Sequence, residues 1–176
     1  MRRNFLIVSA SIATLTIGIL AYLLISDMYN GEAKKADVPG DEISSGVQGK
    51  ITEEQLQRYK KEGLNPFGQE LDLNELTAAL YNEYIHGMSH QKVRADKKWG
   101  FYEIHLERIK WLLEGLDVVS IENGSTYRNI LQRWDKGDFS KVDKDHNAIW
   151  KIQKGTVGKA TGILSLEEEQ KYIDSQ

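Results

Sequence analysis

Apolar and polar residues are distributed very unevenly along the chain. Residues Phe5 to Ile25 form one run of 21 positions without a charge. As a helix the run would be about 30 Å long, the thickness of the hydrocarbon core of a bilayer. Its few Ser and Thr hydroxyls can bond back to the helix backbone. Beyond it, residues 26–50 hold mostly Gly, Ser, Asp, Glu and Lys. Such a stretch cannot bury enough apolar surface to offset chain entropy, which predicts a flexible tether.

From Ile51 onward the pattern becomes helical and is punctuated by caps. Thr52 with Gln55 makes a capping box, Ile51 and Leu56 a hydrophobic staple, and Gly63 a C-cap. Asn65-Pro66-Phe67-Gly68 reads as a turn. Asp72 with Glu75 repeats the start signal, with Leu73, Leu76, Leu80 and Tyr84 following at helical spacing. A long helix is expected from Asp96 to about Gly115, on a stripe of Tyr102, His105, Ile109 and Leu112. Asn123 or Ser125 would open a further helix through Trp134, and Asp138 or Ser140 another carrying Val142, His146 and Ile149. Ser165 would cap the last. No stretch alternates convincingly enough for a strand. The fold expected is therefore all-α: a cytoplasmic N-terminus (1–4), a transmembrane helix (5–25), a tether (26–50) and a compact domain of five or six short helices (51–176).

Charge refines this picture. Arg2 and Arg3 precede the apolar run and Asp27 follows it, so the positive flank predicts a single pass with the N-terminus inside and the domain outside the cytoplasmic membrane. A cleaved signal peptide is the rival, but LLISD at 23–27 offers no small-x-small site. Ala10, Thr14 and Gly18 fall four apart, a spacing that lets two membrane helices approach as a homodimer. With 23 Lys plus Arg against 26 Asp plus Glu the net charge is -3, which argues against nucleic acid as a partner. Cysteine is absent, which excludes disulfides, thiolate metal sites and cysteine nucleophiles.

One constellation could carry metal chemistry. Glu83, His86 and His90 have the spacing that places acid and imidazoles on one face of a continuous helix, and both ligand types suit zinc or iron. A second acid-x-x-His, Asp143 to His146, could add His146. The pair of motifs suggests a carboxylate-bridged di-iron bundle, yet no bridging glutamates complete it. His105 and His146 also sit in apolar stripes, where a histidine usually serves the core. Residues 86–90 read HGMSH and lack the glutamate of a zinc-protease helix. Asp143-Lys-Asp145-His-Asn147 opens like a calcium loop but carries Lys154 where the bidentate acid belongs. Gly155 to Thr161 has the wrong spacing for a phosphate loop. Lys92, Arg94, Lys97 and Lys98, followed by Trp99, could touch anionic polymers or serve as a solvated helix start. No organic-cofactor motif is present.

The segments MSHQKVRADKKWGFYEIHLERIKWLL (88–113), YRNILQRWDKGDFSKVDKDHNAIW (127–150) and GTVGKATGILSLEEEQKYI (155–173) resemble a family of small bacterial proteins of unknown function found in spore-forming Gram-positive bacteria. The resemblance covers roughly residues 70–173 and implies a single-pass membrane protein, without an activity to transfer. The expectation that follows is an externally displayed helical module acting through a protein partner at the membrane surface, with a metal site at Glu83, His86 and His90 as the alternative.

Overall fold

The computed structural model describes residues 50–176. The membrane span expected at 5–25, the tether and the small-residue face at Ala10, Thr14 and Gly18 lie outside the described residues. No helix among the described residues is long and apolar enough to cross a membrane.

Six α-helices are present in the described region: α1 (Glu53–Glu62), α2 (Ala78–Ser89), α3 (Leu106–Val118), α4 (Gly124–Asp135), α5 (Val142–Ile152) and α6 (Leu166–Asp174). Several begin where local chemistry says they must. Thr52 Oγ1 accepts from the Gln55 N–H at 3.2 Å, and Gln55 Oε1 accepts from the Thr52 N–H at 2.8 Å. Gly63 ends α1 at φ 74°, a left-handed conformation that costs glycine nothing. The same reciprocal box, Ser165 with Glu168, opens α6.

Three expectations are corrected. The signal at Asp72 produces only a single 3-10 turn, Leu73–Glu75. Glu75 does accept from the Asp72 N–H, at 2.8 Å. The chain then extends at Leu76, and Thr77 caps α2 by accepting from the Leu80 N–H at 3.3 Å. Packing decides the break: Leu73 and Leu76 close over Gly115 of α3, where there is no side chain to displace them.

The helix expected from Asp96 begins only at Leu106. Gly100 is left-handed at φ 78°, which stops helical propagation. His105 is the N-cap, its Nδ1 accepting from the Glu107 N–H at 3.2 Å. The intervening residues are not helical, and Phe101 and Tyr102 are buried. Tyr102 is edge-on to Phe67 at 5.3 Å, and Phe67 stacks on Tyr84 at 3.9 Å. This aromatic cluster also shelters the fully buried Arg108, which donates to the carbonyls of Pro66 and Glu103 at 3.0 and 2.8 Å.

Finally, the domain is not purely helical. Strand β1 (Val93–Arg94) pairs antiparallel with β2 (Gly162–Ile163), Val93 opposite Ile163. This short ladder ties the segment after α2 to the segment before α6. Helix α2 packs on α5, and α3 packs on α4. The α2–α5 contact builds the site.

Candidate metal centre

Helix α2 passes through Gly87 without interruption. A Cβ there would stand 2.6 Å from Tyr102 Cδ2, so glycine is what lets the Tyr102 ring lie against the helix. The unbroken helix puts His86 and its C-cap residue His90 on one face. Helix α5 presents His146 to the same face. The ring centroids lie 4.8 Å apart for His86 and His90, 4.4 Å for His86 and His146, and 5.4 Å for His90 and His146. One ligand nitrogen from each ring can be chosen so that all three stand within 4.8 Å of one another. His146 is fully buried and His90 is 2 % exposed, whereas His86 is half-buried.

Each imidazole has one nitrogen held by an oxygen that can only accept. His86 Nδ1 lies 2.5 Å from Gln153 Oε1, His90 Nδ1 2.7 Å from the Gly100 carbonyl, and His146 Nε2 3.0 Å from the Gly158 carbonyl. Those nitrogens carry the protons. The lone pairs are therefore on Nε2 of His86, Nε2 of His90 and Nδ1 of His146. This is the arrangement by which oxygen acceptors orient metal-binding histidines. The Ser89 hydroxyl lies 2.8 Å from His146 Nδ1 and has a second acceptor, the His86 carbonyl, at 2.5 Å. It can leave the imidazole without losing a hydrogen bond.

Electrostatics favour neutral rings. Burial pushes His90 down to about 3 and His146 to about 4, and burial also lowers His86. The lone pairs are thus free of protons near neutrality. Three neutral imidazoles without thiolate or carboxylate suit zinc, copper, nickel or ferrous iron. Three protein ligands around zinc also leave a fourth position for an exogenous group.

Glu83 is placed elsewhere. Its Oε1 accepts from the Tyr102 hydroxyl at 2.6 Å, and it is not among the converging ligand atoms. His105 caps α3 and faces Glu53. Asp145 accepts from the Trp134 indole N–H at 3.1 Å and pairs with Arg133, while Asn147 grips both backbone groups of Ala160, at 2.8 and 3.0 Å. The calcium-like run is therefore structural, and the glycine loop after α5 is a connector folded back over His146. Its Gly158, at φ 81°, comes so near the chain at Lys97 that a Cβ would stand 2.6 Å from the Lys97 carbonyl. Lys92 and Arg94 are paired with Glu169 and Glu168. His146 was discernible only as half of an acid-x-x-His motif; nothing in sequence pairs it with α2.

His86 and His90 line the floor of a cleft of about 380 Å³, bounded also by Lys97, Trp99, Trp150 and the 153–158 loop. A model of a family of unknown function, DUF6241, matches residues 85–174. The chain belongs to DUF6241. The DUF6241 match begins one residue before His86 and includes all three histidines with Gly100, Gln153 and Gly158, whereas Glu83 precedes it. No curated protein and no solved structure matches the chain.

Proposed function

We propose that this chain is a metal-binding protein that holds one divalent transition-metal ion, zinc in the first instance, on His86, His90 and His146. The observation that carries the reading is the convergence of three imidazoles, each with one nitrogen on an oxygen acceptor. Ligand atoms of a tetrahedral zinc site with bonds near 2.1 Å stand about 3.4 Å apart. The widest separation, 4.8 Å, needs to close by about 1.4 Å, within reach of side-chain rotation at the half-buried His86.

The reading departs from a protein-contact module because, among the described residues, no comparable set of converging side chains stands behind that alternative. Membrane display remains part of the proposal. It is supported by the uncharged run at 5–25 and the arginines before it. A reporter fused after residue 50 should be active outside the cell; activity confined to the cytoplasm reverses the topology.

Calorimetric titration of the tag-free full chain in detergent with zinc chloride tests the site. One ion per chain is expected, and His86→Ala, His90→Ala or His146→Ala should each weaken binding by more than the roughly 10- to 100-fold that loss of a ligand's orienting partner costs. Unchanged affinity in the three variants would refute the assignment.

A further inference from the structure

We infer that the cleft beside His86 and His90 takes a small organic anion whose carboxylate or phosphate oxygen supplies the fourth ligand to the metal. The inference rests on the metal-binding reading above and adds to it a ligand class and two recognition residues, Lys97 and Lys154.

The lining of the cleft carries the argument. It contains two lysines and, among the described residues, no aspartate or glutamate. Lys97 and Lys154 form no ion pair with a described residue. Two cations left without carboxylates at one mouth attract an anion from solution.

The metal position adds to this field. A divalent ion on three neutral imidazoles keeps its full charge of +2, because no ligand neutralises it. Its open coordination position favours an anionic oxygen. The cleft, at about 380 Å³, is near the lower end of the range for small-ligand pockets. Its walls are not purely polar. Trp99 is 69 % exposed, and Trp150 is fixed by its indole N–H donating to the Val157 carbonyl at 2.7 Å. Two indoles give an apolar surface for the carbon portion of the ligand, while the lysines and the metal take its charge. Lys154 is also held at φ 55°, a backbone conformation that lysine seldom adopts, directly beside Gln153, which orients His86.

The test uses the full chain in detergent loaded with cobalt(II), whose visible absorption reports coordination. Titration with inorganic phosphate and, separately, with benzoate should change the spectrum saturably, and benzoate should also quench tryptophan fluorescence. In the Lys97→Ala/Lys154→Ala double variant the apparent dissociation constants should rise roughly tenfold. The arginine double variant should restore the wild-type response, and cobalt affinity should be the same in all three proteins. If cobalt binds through the histidines but neither anion alters its spectrum, or if the alanine double variant titrates like the wild type, the anion site is overturned and the metal site stands. If cobalt does not bind, both fall.

Discussion

Acid should destabilise the metal-free domain well above the pH at which carboxylates titrate. An unfolded histidine has a pKa near 6.5, whereas in the fold burial holds His90 at about 3 and His146 at about 4. Between these values the unfolded chain binds protons that the folded chain refuses. The stability contributed by the neutral rings is therefore complete above about pH 6.5 and is lost as pH falls below it. Each group costs about 1.4 kcal/mol per pH unit in this window, so the two together remove up to about 4 kcal/mol between neutrality and about pH 5. His86, lowered by burial as well, adds in the same direction. Total stabilities of such domains are only about 5–15 kcal/mol. Other groups act outside the window. Glu168 is held down at about 2, and Asp138 and Asp174 are lowered by hydrogen bonds, so their contributions disappear only below the usual carboxylate range. Burial raises Asp145, whose effect has the opposite sign just above that range. The histidine slope is thus cleanest between about pH 5 and 6.5. Urea denaturation with excess chelator, followed by tryptophan fluorescence at a series of pH values, measures it. A free energy of unfolding constant to within about 1 kcal/mol from pH 7 to pH 5 would refute the description of these rings as buried and neutral.

Other consequences are as specific. Gly115→Ala would place a Cβ 2.6 Å from the Tyr81 hydroxyl, which donates to the Leu112 carbonyl at 2.7 Å; thermal denaturation should show a loss of about 1–3 kcal/mol. Lys154→Gly removes a left-handed non-glycine residue and should raise stability by about 1 kcal/mol in urea denaturation. Glu83→Gln should leave zinc affinity within about twofold of wild type in the calorimetric titration, because the carboxylate is committed to Tyr102.

What the sequence disclosed was local. The boxes at Thr52 and Ser165 and the glycine stop at Gly63 involve residues within a few positions of one another, and such signals need no tertiary context. The Asp72 signal was equally good locally, yet Leu76 gained more by packing over Gly115 than by continuing a helix. The apolar stripe through Tyr102 and His105 mimicked a helix because buried aromatics on a non-helical strip can fall at helical spacing by accident. The β1–β2 ladder has two residues per strand, too few for alternation to register.

The site divides in the same way. His86 and His90 could be paired from their four-residue separation. His146 could not be added with certainty, since it joins them only through the packing of α5 on α2. Glu83 shared the right helical spacing but was drawn to a hydroxyl contributed by the non-helical segment. The oxygens of Gly100 and Gly158 that orient two of the rings belong to the backbone, and no side-chain motif announces them.

The central claim is the metal on three imidazoles, and X-ray absorption at the zinc edge of the loaded full chain probes it most directly. The account predicts three imidazole nitrogens at about 2.0–2.1 Å, with their outer-ring scattering, and one further oxygen. A spectrum of oxygen ligands alone, or one unchanged by His146→Ala, would contradict it.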